Sequence, residues 1–353
     1  MPLPWIRALL CALSLVCASL VKGQGYPPIS AANIARLQSQ ARIDFADFPG
    51  ELKIGWFEAK ADGGEFIVFD QTGRIYDVSP AGIADSWTYV ESGSGQLFSL
   101  IDAAYVDDEP QALYVIDGGY FINQQRLPAG YQPVALVSQG VSLFVEAIDA
   151  DGRTVFLHYV YRDAGEALQL VDEFLLPASD PEQPAVRIGR VAFPLVLYSS
   201  LADGALTVYR YPDAFASDAA REYRLTQGPA VFGAVNAAGS HFAWSDPYSE
   251  RLNLLDLETG ENRVVAEIGG AYAQYHLLTA DASAILIVNL DFAPEVFAWD
   301  VETGQRYELG LYRSCQRIPD KVALSRDGTA LVIGCDTGLD VWRVINNNDS
   351  EEA

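Results

Sequence analysis

The sequence is poor in the residues that most often carry catalytic or metal-binding chemistry. Its 353 residues include three histidines and four cysteines. It contains no Gly-x-Ser-x-Gly elbow, phosphate-binding loop or paired-cysteine motif. A zinc site needs several converging ligands, and a hydrolase triad needs a nucleophile positioned beside its histidine. No histidine has a second one two or four positions away, so each is expected to be structural. They are His158, His241 and His276.

Basic residues are also scarce. Lysine and arginine total 23 against 47 aspartates and glutamates, which gives a formal net charge of -24. An acidic surface repels the phosphates of nucleic acids and the headgroups of anionic lipids, so neither is expected as a partner. Two explanations of the acidity stay open. It keeps an exported protein soluble, or it favours a cationic partner.

A long apolar run occurs at the N-terminus. Arg7 precedes the apolar stretch 8–21, and Lys22 and Gly23 follow it. This pattern is typical of a secretory signal peptide, residues 1–23, cleaved near Gly23. We therefore expect an extracytoplasmic protein, secreted or periplasmic, with no membrane span after cleavage. The stretch is short for a span, and a retained anchor is the alternative.

Two cysteines remain after cleavage, Cys315 and Cys335. An exported chain meets an oxidising environment, where an even pair favours a disulfide. Closing a loop of this length would stabilise the fold by about 3 kcal/mol through chain entropy. A metal site is not favoured, because no histidine lies within thirty residues of either cysteine.

A short turn recurs about every 44 residues, although its copies share little identity. Five copies are clear, as in Asn236-Ala-Ala-Gly-Ser240, and two weaker ones complete the series. A fixed period of this size indicates an array of one supersecondary unit. Each turn is predicted to join the first strand of a unit to the second. The seven turns are 60–64, 105–109, 149–153, 190–194, 236–240, 279–283 and 325–329.

The segments beside these turns are short and rich in β-branched and aromatic residues, which predicts β-strands. In the last units the order is strand, turn, strand, turn, strand, turn, strand, which is a four-stranded antiparallel meander. The third strands align as Leu254-Leu-Asp-Leu257, Ala298-Trp-Asp-Val301 and Val341-Trp-Arg-Val344.

Four strands in a unit of this length resemble the WD40 and YVTN-type β-propeller repeats. The stretch Ser325-Arg-Asp-Gly-Thr-Ala-Leu-Val-Ile-Gly-Cys-Asp-Thr-Gly-Leu-Asp-Val-Trp342 looks like the second half of such a repeat. The chain departs from the family pattern, because no Gly-His pair begins a unit and Trp-Asp occurs only at Trp299-Asp300. The resemblance covers roughly residues 41–345. It implies an all-β, seven-bladed β-propeller.

The domain organisation follows from this resemblance. Residues 24–40 form an N-terminal segment with a short helix over 31–39, capped by Ser30. Residues 41–345 form the propeller. Its last unit lacks a fourth strand, which Ala41–Ala46 can supply, and this pairing would close the ring. Residues 346–353 are a polar, acidic tail that is expected to be disordered.

One aspartate falls at each predicted turn between a second and a third strand. Such residues commonly cap their own tight turns. The alternative is a collar of carboxylates on one face of the propeller that attracts cations, including Ca²⁺, or a basic partner. Two aromatic residues at the same turns, Tyr248 and Phe292, could contact a partner. The aspartates are Asp70, Asp117, Asp163, Asp203, Asp246, Asp291 and Asp336.

Two functional hypotheses follow. In the first, the chain is an exported, monomeric, non-enzymatic scaffold that binds a protein or a small surface ligand through its loop face and needs no cofactor. In the second, it is a propeller enzyme of the lactonase or hydrolase type with a metal held by aspartates at the channel mouth. Propellers host both classes, so the fold alone does not choose between them.

Overall fold

The computed structural model describes residues 26–45, 57–59, 66–69, 74–79, 82–88, 98–106, 109–123, 125–139, 142–160, 168–175, 186–190, 195–200, 205–211, 220–227, 232–246, 250–268, 273–289, 295–311, 321–325, 327–335 and 338–345. In these ranges the chain forms 28 β-strands and one turn of 3₁₀ helix, Ile34–Arg36. The strands pair into seven four-stranded antiparallel sheets. The predicted leader 1–23 and the tail 346–353 lie outside the described residues.

The sheets are numbered here in chain order. Sheet 1 contains β2 (Phe57–Ala59), β3 (Phe66–Phe69), β4 (Arg74–Ser79) and β5 (Gly82–Thr88). Sheet 2 contains β6 (Phe98–Val106), β7 (Glu109–Ile116), β8 (Gly119–Ile122) and β9 (Gln125–Arg126). Sheet 3 contains β10 (Gln132–Gln139), β11 (Ser142–Ile148), β12 (Thr154–Val160) and β13 (Gln169–Leu175). Sheet 4 contains β14 (Val186–Arg190), β15 (Leu195–Ser200), β16 (Ala205–Tyr211) and β17 (Arg221–Gln227).

Sheet 5 contains β18 (Phe232–Val235), β19 (His241–Asp246), β20 (Arg251–Asp256) and β21 (Asn262–Glu267). Sheet 6 contains β22 (Ala273–Leu278), β23 (Ala284–Asn289), β24 (Glu295–Asp300) and β25 (Arg306–Leu311). Sheet 7 contains β26 (Lys321–Leu324), β27 (Ala330–Cys335), β28 (Gly338–Val344) and the N-terminal strand β1 (Leu37–Asp44).

The sheets stack face to face, which is why their middle strands are apolar on both sides. On β23, Ile285 and Ile287 pack in a cluster with sheet 5, whereas Leu286 and Val288 pack in a cluster with sheet 7. Successive side chains of a strand point to opposite faces, so a strand between two sheets needs a continuous apolar run. Burying each such side chain contributes on the order of 2 kcal/mol.

Neighbouring sheets also contact each other through their first strands. Strand β2 contacts β6, β6 contacts β10, β14 contacts β18, β18 contacts β22, and β22 contacts β26. Strand β26 of sheet 7 in turn contacts β2 of sheet 1. Four-stranded antiparallel sheets that stack around their first strands are the architecture of a β-propeller. These sheets confirm the all-β class predicted from the repeat.

The two ends of the described chain meet in sheet 7. Strand β1 is antiparallel to β28, with Leu37 opposite Val344 and Asp44 opposite Gly338. Ile43 of β1 lies in the same hydrophobic cluster as Phe66 of sheet 1. The N-terminal strand therefore supplies the fourth strand of the last sheet.

The N-terminal segment differs from its prediction. The expected helix over 31–39 is a single 3₁₀ turn, and β1 begins at Leu37 rather than at Ala41. The residue at the N-cap position is Asn33 rather than Ser30, and it makes no side-chain capping hydrogen bond. Leu37 is buried opposite Val344, so pairing with β28 outweighs the helical preference of the local sequence. In the part of the chain that the structure describes, no helix is long and apolar enough to cross a membrane.

Sheet 3 corrects the predicted repeat register. The turn 149–153 joins its second strand to its third, β11 to β12, and not its first to its second. The connection between the first two strands falls instead between Gln139 and Ser142. The turns that begin at 236, 279 and 325 do join first to second strands, as predicted.

Replacing Gly338 by alanine should weaken the pairing of β1 with β28. A Cβ atom at this position would collide with the carbonyl oxygen of Ile43. We expect a loss of about 2 kcal/mol in the free energy of unfolding, since the backbone of β1 must move to relieve the overlap. Urea denaturation measures the change.

The matched control for this substitution is Asp44→Ala on the opposite strand. Asp44 is exposed, and it forms a surface ion pair with Arg42 at 3.5 Å. Exposed ion pairs contribute about 0–1 kcal/mol, so the loss of this pair should cost at most about 0.5 kcal/mol. Equal stability of the Gly338→Ala variant and the native protein would contradict the close packing of these strands.

Candidate functional site

Most of the predicted aspartate collar falls outside the described residues. Asp70, Asp163, Asp203, Asp291 and Asp336 lie there, as do Tyr248, Phe292 and Cys315. The remaining predicted residues, Asp117, Asp246 and Cys335, can be placed on the backbone.

Asp117 occupies the two-residue turn between β7 and β8, the second and third strands of sheet 2. It is exposed and has a φ of 49°, and Gly118 has a φ of 77°. Two successive left-handed residues are typical of a type I′ hairpin turn, which favours this pair of residue types. Asp246 ends β19 and lies opposite Arg251 in the register of sheet 5. Both positions match the predicted second-to-third connection.

In sheet 3 the predicted aspartate is the wrong one. Asp163 falls in the connection between β12 and β13, the third and fourth strands. The aspartate at the second-to-third connection is Asp149. In an antiparallel meander, the connection between the second and third strands lies at the opposite end of the strands from the connection between the third and fourth. Asp149, not Asp163, is therefore at the connection that corresponds to that of Asp117. Sequence reasoning missed Asp149 because its turn resembles the first-to-second turns of other sheets.

Asp149 is engaged within its own turn. Its Oδ1 atom accepts the N–H of Asp151 at 2.9 Å and that of Arg153 at 2.8 Å, and its Oδ2 atom lies 2.7 Å from the guanidinium of Arg153. The hydrogen bond from Arg153 is the main cause that lowers the pKa of Asp149. This arrangement favours the turn-capping role of the aspartate over cation binding.

The same end of sheet 3 carries a second polar contact. Tyr131, just before β10, donates its hydroxyl to Glu173 Oε2 on β13 at 2.6 Å. This bond raises the pKa of Tyr131 to about 12, so the phenol stays protonated at neutral pH. The contact links the residue that precedes β10, the first strand of sheet 3, to β13, its fourth strand.

The face of sheet 3 that points away from sheet 2 is unusually polar. Leu143, Val145 and Leu157 pack in the cluster shared with sheet 2, so their neighbours in sequence face the other way. These neighbours include Ser142, Phe144 and Glu146 on β11 and Phe156 and His158 on β12. The corresponding faces of sheets 6 and 7 are aliphatic, with Leu286, Val288, Val296, Ala298, Ala330, Val332, Leu339 and Val341.

A serine and a histidine meet on this face. His158 Nε2 lies 3.2 Å from Ser142 Oγ, and the His158 ring stacks on Phe144 with centroids 4.3 Å apart and planes at 2°. An imidazole in this position can exchange a proton with the hydroxyl. Sixteen residues separate the pair in sequence without a motif. Only the register of β11 against β12 brings them together, so sequence reasoning missed the contact.

A buried carboxylate joins sheets 2 and 3. Asp102 on β6 is 2% exposed, and its Oδ2 atom accepts the N–H of Leu136 on β10 at 2.7 Å. The negative charge of Asp102 also acts on the carboxyl group of Glu146. Burial, and then Asp102, raises the pKa of Glu146 to about 7. Glu146 therefore changes its charge close to neutral pH, unlike an ordinary glutamate.

The described ranges contain no group of three or more histidine, cysteine, aspartate or glutamate side chains arranged to hold a metal ion. Because the aspartate collar lies largely outside those ranges, Ca²⁺ binding there stays a prediction.

Comparisons with known proteins identify the class of fold. No family model and no curated protein sequence matches the chain. Among solved structures, it is similar to a chain of the "Crystal Structure of Mitotic Checkpoint Complex", with a TM-score of 0.57 and 15% identity. The match covers 88% of this chain and 95% of that one. At this identity the likeness shows the fold alone, a β-propeller.

Replacing Glu146 by glutamine should change how stability depends on pH. The pKa of Glu146 is about 7 in the folded chain, against an ordinary 4.5 when unfolded. The folded state holds the proton more tightly, so the contribution of Glu146 to stability is complete below pH 4.5 and is lost as the pH rises to 7. A difference of this size corresponds to roughly 3 kcal/mol. The Glu146→Gln variant should therefore be more stable than the native protein at pH 8 and equal to it near pH 4.5.

Urea unfolding at both pH values measures this effect, with Glu261→Gln at an exposed position as the control. Buried His276 acts in the opposite sense, because burial lowers its pKa to about 4 and stability is lost as the pH falls from 6.5. This contribution is common to the native and variant proteins and cancels in their difference. A Glu146→Gln variant that is less stable than the native protein at pH 8 would contradict the placement of Glu146.

Proposed function

We propose that the chain is an exported, non-enzymatic WD40-like propeller that binds a partner protein or a surface ligand through its loops and edges. In this proposal the seven sheets are the blades of one closed ring. The contact of β26 with β2 and the pairing of β1 with β28 support this closure. The solved chain of similar fold comes from a multi-protein assembly by its title, which is in keeping with a scaffold role.

The observation that carries the proposal is the departure of sheet 3 from the symmetry of the array. A residue type repeated in every sheet serves the sheet, whereas a specific binding site breaks the repeat. Sheet 3 replaces aliphatic face positions with Ser142, Glu146 and His158, and it exposes apolar side chains at its outer strand. Exposed apolar side chains held on a rigid scaffold are the usual material of a binding surface.

The N-terminal segment supports an assignment of the two faces. The N–H of Ile29 donates to Gly328 O at 2.8 Å, and that of Ala31 donates to Ser283 Oγ at 2.9 Å. Segment 26–36 therefore covers first-to-second turns of sheets 6 and 7, and the proposed signal peptide 1–23 would leave from this side. The opposite face, with Asp117 and Asp149, is left for a partner. A retained anchor would present that face away from the membrane.

The second candidate is a hydrolase, and the contact of His158 with Ser142 favours it. Histidine can act as a general base toward a serine hydroxyl at such a distance. The metal version of this hypothesis, with Ca²⁺ at the aspartate collar, rests on residues outside the described ranges. We favour the scaffold because the Phe144 and Phe156 side chains on the same face are buried, which leaves a substrate little access.

Affinity capture from the native envelope or medium tests the proposed function. The purified protein should retain a stoichiometric partner, and it should neither hydrolyse ester or lactone substrates nor react with a fluorophosphonate probe. The Ser142→Ala variant should capture the same partner. Capture of nothing, together with turnover or probe labelling that Ser142→Ala abolishes, would replace the scaffold by the hydrolase.

We also propose the Cys315–Cys335 disulfide, which the topology of sheet 7 supports. Cys335 ends β27, and Gly334 beside it pairs with Lys321, the first residue of β26. The connection that delivers the chain to Lys321 contains Cys315. Mass spectrometry of unreduced peptides should show the two cysteines linked, with a melting temperature that falls on reduction. Alkylation of both thiols without reductant would exclude the bridge.

A further inference from the structure

The outer strand of sheet 3 exposes two adjacent apolar side chains. Leu170 is 42% exposed and Val171 is 48% exposed, and both lie on β13. This strand pairs with β12 on one side and is last in the order of its sheet. Its other edge therefore presents backbone groups outward from the sheet. An edge of this kind is a ready template for another strand.

The corresponding residues of sheets 4, 5 and 6 are partly buried. In sheets 3, 4, 5 and 6 the fourth strand contains one extra residue where its register against the third strand shifts. In sheets 4, 5 and 6 this residue is Leu225, Val265 and Leu309, and each packs against a hydrophobic cluster shared with the next sheet. In sheet 3 it is Val171, which stays half exposed.

The strand also lacks the basic and proline residues that often protect an edge. Proteins commonly place lysine, arginine or proline on exposed edge strands to prevent unwanted pairing. Among the outer strands, β13 and β5 contain none of these, whereas β1, β9, β17, β21 and β25 each carry an arginine. It carries Asp172 and Glu173 instead, and residues 161–185 include six acidic residues and one basic residue. The strand is therefore apolar in part and negatively charged.

We propose that β13 is the docking strand for an extended, basic segment of a partner protein, which adds to sheet 3 as a fifth strand. Main-chain hydrogen bonds along β13 supply the affinity, as in other cases of strand addition. Apolar side chains of the segment cover Leu170 and Val171, and its lysines or arginines lie along the acidic strand. This inference rests on the proposed scaffold function and assigns its surface and the chemistry of its partner.

A labelled peptide of alternating lysine and valine, seven residues long, serves as the probe. Fluorescence anisotropy should show saturable binding to the native protein. Val171→Lys should weaken binding at least tenfold, because it adds a like charge and removes the apolar contact. The matched control is Val264→Lys, since Val264 is 49% exposed on the outer strand β21 and should change binding less than twofold. Circular dichroism melting should show both variants folded.

A peptide of the same composition with N-methylated valines separates strand pairing from general attraction to an acidic protein. It keeps its charge but loses backbone donors, so its affinity should fall at least tenfold. Equal binding of both peptides, or equal effects of Val171→Lys and Val264→Lys, would overturn the assignment. If Val171→Lys captures the same natural partner as the native protein, the scaffold function stands and the docking strand is wrong.

Discussion

Antiparallel pairing of β1 with β28 is the interaction on which the arrangement of the sheets depends. It joins residues 37–44 to residues 338–344, so the stability of sheet 7 requires both ends of the described chain. Gly338 permits the close approach of the two strands, because a side chain there would meet the backbone of Ile43. Sheet 7 in turn packs on both sheet 6 and sheet 1. A chain in which each sheet covers its neighbours gains a core that grows with the number of sheets.

The proposed function resides where that regularity fails. Sheets 5, 6 and 7 present apolar faces to each other, and side chains within their turns hydrogen-bond to the turn backbone. Sheet 3 differs in its polar face, which carries Glu146, in the buried carboxylate of Asp102 at its junction with sheet 2, and in the exposed strand β13. The strongly acidic composition of the chain gives such a surface a preference for basic partners. A scaffold needs only one such departure from symmetry to bind specifically.

The repeat could be predicted where local chemistry and topology agree. In sheets 6 and 7 the first turn residue accepts a backbone N–H five residues later, Thr279 from Ala284 at 3.0 Å and Ser325 from Ala330 at 2.9 Å. Asp149 makes an equivalent bond with Arg153, although its turn joins different strands. Such chemistry identifies a tight turn but not the strands it connects, so in sheet 3 the sequence pattern predicts the wrong pair of strands for the turn 149–153. The contact of Ser142 with His158 depends on the register of β11 against β12 and could not be predicted.

Hydrogen–deuterium exchange of the protein with and without its captured partner tests the central claim most directly. Exchange reports which backbone amides become protected on binding. We expect new protection concentrated in sheet 3, over residues 168–175 and the turn 149–153, with the outer strands β21 and β25 unchanged. Protection spread over the second-to-third turns of all sheets, or confined to sheets 5 and 6, would contradict that claim.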